Sequence, residues 1–235
     1  MSRNHEFLNL YKKIEDTLEA RYERQGRRYS SVVMEFIHSP EGERWREQMD
    51  MCREIRNLMT HTADIGGEAI VTPAAGVVEI LREILEYVQK PPMALEYATK
   101  AERLLKVSLM DFALPVMKAM QKRGFSHVPV MQGERMIGVF SVSTIFSDAI
   151  SGRGVDEQTR VKDFSQLLPI ENHVFEQFAF VGEQTTLPEA QAAFDRRDRK
   201  RMAALFVTRG GAPDGVLLGM ITPWNVLKEK YRKEG

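Results

Sequence analysis

Apolar positions over about residues 3–90 recur at steps of three and four, the spacing of one helix face. Phe7, Leu10, Tyr11, Ile14, Leu18 and Tyr22 form one stripe, and Tyr29, Val32, Val33, Phe36 and Ile37 form a second. Ser39-Pro40-Glu41 reads as a helix start, with a capping hydroxyl, a first-turn proline and an acid at the positive end. The helix behind it carries Trp45, Met49, Cys52, Ile55 and Met59, and Gly66-Gly67 breaks it. Thr72-Pro73 opens a fourth helix with Val77, Ile80, Leu81, Ile84, Leu85 and Val88, which Lys90-Pro91-Pro92 ends. Four helices with short connections predict an up-and-down bundle over residues 1–92.

After that boundary the period changes. Residues 93–105 read as a helical connector, and short apolar strands then alternate with helices. Leu104 to Ser108 is the first strand, and Phe112 to Arg123 is a helix stopped by Gly124. His127–Met131 and Arg135–Phe140 are strands joined around Gln132-Gly133. The block that follows is used twice. Gly138-Val-Phe-Ser141-Val-Ser-Thr144 is echoed by Gly219-Met-Ile-Thr222-Pro-Trp-Asn225. The second copy begins with Phe178 to Val181. A capping-box pair, Thr186 and Glu189, opens its helix. Strands Met202 to Thr208 and Val216 to Ile221 follow. Each copy is strand–helix–strand–strand–helix. One such sheet cannot bury both faces alone, so two copies packed sheet to sheet are expected. The fold class is α+β: a helical bundle, then two β-α-β-β-α units at about 95–150 and 160–232.

Composition narrows the function. Lys+Arg and Asp+Glu both number 33, so no broad basic surface for nucleic acid is expected, and DNA is not an expected partner. No apolar run approaches the ~18 residues of a membrane span, and no signal pattern opens the chain. The one cysteine, Cys52, cannot form an intrachain disulfide, which fits a reducing cytoplasm. Zero net charge favours self-association, and a homodimer is expected. The histidines and the cysteine show no metal-ligand spacing, and there is no phosphate loop or serine nucleophile elbow. No metal or obligatory cofactor is expected.

The unit order, the strand His127-Val-Pro-Val130 after Arg-Gly-Phe, and the Gly-apolar-apolar-Ser/Thr ending of the third strand carry a resemblance. Over about residues 95–232 the chain resembles a tandem pair of cystathionine-β-synthase (CBS) domains. The resemblance implies a sensor module that binds adenosine nucleotides (AMP, ADP or ATP) in clefts between the copies. In that family a hydroxyl after the third strand and an acid three residues later hold phosphate and ribose. Ser141 and Thr222 stand at the hydroxyl positions, and Thr144 and Asn225 stand at the acid positions. Neither is a carboxylate. Asn225 can still bond a ribose hydroxyl, so the second copy is the expected nucleotide site. Arg201, just before the second strand, is a candidate phosphate contact. Ser141 and Thr222 also suit plain helix caps. The run Asp195 to Arg201 reads as a solvated helix end.

The helical half has its own motif. Arg56-Asn57-Leu-Met-Thr-His61 places Asn57 and His61 on one helix face, with Arg56 beside them. A histidine can move protons near neutral pH, and an arginine can hold a phosphodiester, as metal-independent RNA cleavage requires. Over residues 1–90 the segment resembles the HEPN family of helical-bundle proteins. That resemblance implies phosphate binding by Arg56, proton transfer by His61 and positioning by Asn57, across a dimer cleft that takes RNA. Arg56 paired with glutamates and His61 closing a helix is the structural alternative. The leading expectation is a regulatory protein whose CBS pair senses a nucleotide and modulates a dimeric helical domain. A HEPN-type endoribonuclease gated by that pair is the second expectation. A dimeric adaptor with degenerate sites is the third.

Overall fold

The computed structural model describes residues 2–22, 29–61, 71–195 and 200–226. The chain divides into two units, Met1–Pro92 and Met93–Gly235. No helix among the described residues is long and apolar enough to cross a membrane.

The first unit consists of α1 (Arg3–Tyr22), α2 (Val32–Ile37), α3 (Arg46–His61) and α4 (Ala75–Gln89). The three-and-four spacing puts Phe7, Tyr11, Ile14, Leu18 and Tyr22 of α1 inside. They meet Val33, Phe36, Ile37, Met49, Cys52, Leu81, Ile84 and Val88 in one core. Each fully buried Leu, Ile or Phe there contributes about 1.5–3 kcal/mol. A buried ion pair lies at the rim. Arg21 Nη1 donates to both Glu41 oxygens at 2.7 and 2.8 Å, and Arg21 Nη2 also donates to the Val88 carbonyl.

Two expectations about these helices are corrected. The second stripe gives only six helical residues, and Tyr29 stands exposed outside it. Ser39-Pro40-Glu41 does not open a helix. Ser39 closes a turn by accepting from the Gly42 amide at 3.1 Å, a 3-10 turn follows at Glu43–Trp45, and α3 starts only at Arg46. Glu41 is recruited by Arg21 instead of serving a helix end. Gly66-Gly67 lies outside the described residues.

The second unit runs α5 (Ala94–Tyr97), β1 (Thr99–Lys100), β2 (Val107–Ser108), α6 (Ala113–Arg123), β3 (His127–Gln132), β4 (Arg135–Ser141) and α7 (Val142–Ile150). It continues with β5 (Glu176–Gly182), α8 (Leu187–Asp195), β6 (Arg201–Thr208), β7 (Leu217–Ile221) and a helical turn at 223–226. The sheets are β2-β3-β4 and β1-β7-β6-β5. In each copy the crossover helix joins a parallel pair (β2 with β3, β5 with β6), and a hairpin follows. Alternation along the strands gives each sheet two buried faces. Val128, Val130 and Phe140 pack on α6 through Ala113, Val116 and Met120. Leu205, Val207 and Ile221 pack on α8 through Leu187 and Ala190. The alternate residues Met136, Val139, Phe178, Ala204, Phe206 and Leu217 meet between the sheets.

The connector prediction for residues 93–105 is also corrected. Only Ala94–Tyr97 is α-helical. The segment then runs as a strap along the edge of the second copy's sheet: Thr99 and Lys100 pair with Met220 and Gly219. The segment between the copies straps the first copy in turn, with Val139 N donating to Leu168 O at 2.8 Å. This explains the repeated glycine. A Cβ on Gly138 would lie 2.3 Å from Leu168 O, and one on Gly219 would lie 3.0 Å from Thr99 O. A side chain at Gly138 has no room beside its strap, and one at Gly219 would press on the Thr99 carbonyl.

Candidate functional site

Each third strand delivers its hydroxyl to a helix start. Ser141 caps α7 in extended geometry. Its Oγ accepts from the Thr144 amide at 3.2 Å, and Thr144 Oγ1 accepts from the Ser141 amide at 3.3 Å. Both residues are buried, at 0% and 2% exposure. Thr144 therefore serves as the partner of a capping box. The second copy repeats half of the device, with an amide as the residue that reaches back. Asn225 Oδ1 accepts from Thr222 N and from Thr222 Oγ1, both at 2.8 Å. Pro223 suits the first helical position because it has no amide hydrogen to leave unpaired. Thr222 and Asn225 are half-buried.

A carboxylate does meet the first copy's hydroxyl, but from another strand. Glu176 opens β5, and its Oε1 accepts from Ser141 Oγ at 2.6 Å and from Ser143 Oγ. His173 Nδ1 lies 3.2 Å from the same oxygen, and His127 Nε2 lies 2.8 Å from Oε2. A carboxylate can only accept, so both ring nitrogens donate. The fold supplies these groups separately. His127 begins β3 directly opposite Ser141 in the antiparallel ladder, while His173 sits three residues before Glu176. Both imidazoles stand at 77° to the Phe178 ring, with centroids at 5.5 and 4.9 Å. Lys200 Nζ fixes the His173 carbonyl at 2.6 Å. Burial would raise the Glu176 carboxyl, but the hydrogen bonds from His127, His173, Ser141 and Ser143 hold it well below the usual carboxylate range.

The sequence reading did not find this cluster. It sought an acid three residues after the hydroxyl, and the acid is 35 residues away along the chain. One signal was present: a glutamate at the head of a strand whose middle, Phe178 to Val181, is apolar. Arg201 is brought to the same place. It faces Glu176 in the β5–β6 ladder, with its side chain exposed.

In the helical unit, Arg56 and Asn57 come together on α3, with Arg56 Nη1 donating to Asn57 Oδ1 at 3.3 Å. Arg56 is also held by its neighbours. Its Nη2 is 3.9 Å from Glu15, and its guanidinium lies 5.9 Å from the Tyr11 ring centroid. Burial raises the Glu15 carboxyl above its ordinary value, and Arg56 opposes that shift. His61 ends α3, and its side chain lies outside the described residues. No group of three or more His, Cys, Asp and Glu among the described residues could hold a metal ion.

No protein-family model and no curated protein matches the chain. Solved structures of CBS-domain proteins match about 61% of it. One, a protein with CBS domains from Burkholderia ambifaria, has 18% identity and a TM-score of 0.46, covering 61% of this chain and 96% of its own. The CBS-pair protein CBSX2 from Arabidopsis thaliana has 16% identity and a TM-score of 0.43, covering 62% and 98%. A second structure of CBSX2, in complex with AMP, has 17% identity and a TM-score of 0.42, covering 61% and 99%.

Proposed function

We propose that the second unit is a CBS-type sensor that takes an adenosine nucleotide beside Thr222 and Asn225, and that occupancy regulates the helical unit. The observation that carries this reading is the contrast between the two helix starts. In the first copy the capping hydroxyl is fully buried and bonded to Glu176. In the second it is half-buried, and among the described residues its hydroxyl bonds only Asn225. Because the Asn225 oxygen turns to Thr222, its amide nitrogen faces away with two donors, which suit ribose hydroxyl oxygens. A ligand that binds in this way regulates only through a difference in affinity between two states of the protein.

The test is thermal unfolding with AMP, ADP and ATP. A nucleotide that binds the folded state raises Tm as its concentration passes Kd, by mass action. Thr222→Val removes the hydroxyl at nearly constant shape, and Asn225→Leu removes the amide. Each should weaken the shift about tenfold in apparent affinity. No shift with any of the three nucleotides at millimolar concentration would refute the sensor reading.

A further inference from the structure

We propose that Glu176 is a resident anion, seated in a cup built to hold one, and that it keeps the first copy's helix start closed to phosphate-bearing ligands. The closure half of this inference rests on the sensor reading above; the cup itself does not. Four side chains from three places converge on one carboxylate: His127 from β3, Ser141 and Ser143 from the start of α7, and His173 from the segment before β5. The cup is deep. The His173 side chain is 1% exposed, and those of His127 and Glu176 are 14% exposed. Its walls are fixed by Phe178 beside both rings and by Lys200 on the His173 backbone. Three of the groups meet Oε1 and His127 meets Oε2, so a carboxylate uses every one of these donors at once. An incoming phosphate would need the same donors and would be repelled by Glu176, so it cannot bind without expelling that side chain. The contact is thus autoinhibitory for the first copy. The two copies of the repeat have unequal jobs, and the chain takes one nucleotide, in the second.

The test is chemical rescue of the full chain. Glu176→Ala empties the cup while leaving its donors, and should lower Tm by about 5 °C. Sodium acetate or inorganic phosphate should then raise the Tm of this variant saturably, above sodium chloride at equal ionic strength. Neither anion should do so for the wild-type protein. Glu176→Gln still fills the cup, so it should be less stable than wild type and insensitive to both anions. If the alanine variant is unfolded in plain buffer, the same anions should restore its circular dichroism. Equal response of all three proteins to the anions, or no rescue of the alanine variant, would overturn the cup. No nucleotide enters these arms, so they remain decisive if the sensor reading fails. The closure is read separately by calorimetry with AMP. Wild-type protein should bind one per chain and Glu176→Ala should bind two. One site in both proteins would overturn the closure and leave the cup standing.

Discussion

Gly138→Ala tests the strap argument most sharply. The added Cβ would sit 2.3 Å from Leu168 O, 2.7 Å from Leu168 C and 3.0 Å from Leu168 Cβ. Two of these are backbone atoms, so rotation of a side chain cannot relieve the clash. Restoring ordinary van der Waals contact requires the strap to retreat by about 1 Å. That retreat breaks the 2.8 Å bond from Val139 N to Leu168 O. Val139 is fully buried, so its orphaned amide costs about 1–3 kcal/mol. Residual overpacking costs another 1–3 kcal/mol. The expected destabilisation is about 3 kcal/mol. Gly76→Ala is the control, since its Cβ meets nothing within 4 Å and it lies in α4. It should stabilise by up to about 0.5 kcal/mol, because alanine has less backbone entropy to lose. Urea unfolding followed by circular dichroism measures both variants, and hydrogen exchange at the Val139 amide locates the first. A loss below about 1 kcal/mol for Gly138→Ala, with unchanged Val139 exchange, would refute the reasoning.

Three further outcomes are expected. Arg21→Ala removes the bidentate partner of Glu41, which is 2% exposed, and should destabilise the protein by about 3 kcal/mol in the same urea assay. The Glu176 carboxyl is depressed in the folded state, so its contribution is complete above its ordinary value of 4.5 and is lost as pH falls toward the folded value. The Tm gap between wild type and Glu176→Gln should therefore narrow as pH falls below about 4.5; a gap that grows there would contradict the sign. Burial pushes the Cys52 thiol up to about 11, so iodoacetamide at pH 7 should label it only when urea exposes it, and rapid labelling of folded protein would contradict its place in the core.

Periodicity made most of the fold legible. The α1 stripe came out buried at Phe7, Tyr11, Ile14, Leu18 and Tyr22, because a helix face buried on one side leaves an unambiguous spacing. The repeated unit was legible because helix starts, hairpins and the strand ending recur together. Residues 93–105 were misread because Met93-Ala-Leu-Glu-Tyr has good local helix propensity, while strand pairing of Thr99 and Lys100 with β7 is a long-range event that sets the rest. Ser39-Pro40-Glu41 misled for a similar reason: Arg21, far away in sequence, takes Glu41. The candidate site was half legible. Local rules locate Ser141 and Thr222 as caps, since a cap is made with residues three apart. The meeting of Glu176 with His127 and Ser141 was not legible, because packing between the two copies makes it, and the local pair His173 and Glu176 carries no signal by itself. Arg56 shows the converse: its motif is local, but its neighbours Glu15 and Tyr11 come from α1.

Isothermal titration calorimetry of the wild-type chain with AMP tests the central claim most directly. The account predicts saturable binding at one nucleotide per chain, lost or weakened about tenfold in Thr222→Val and Asn225→Leu. No binding would contradict it, and so would binding that both variants retain at full affinity.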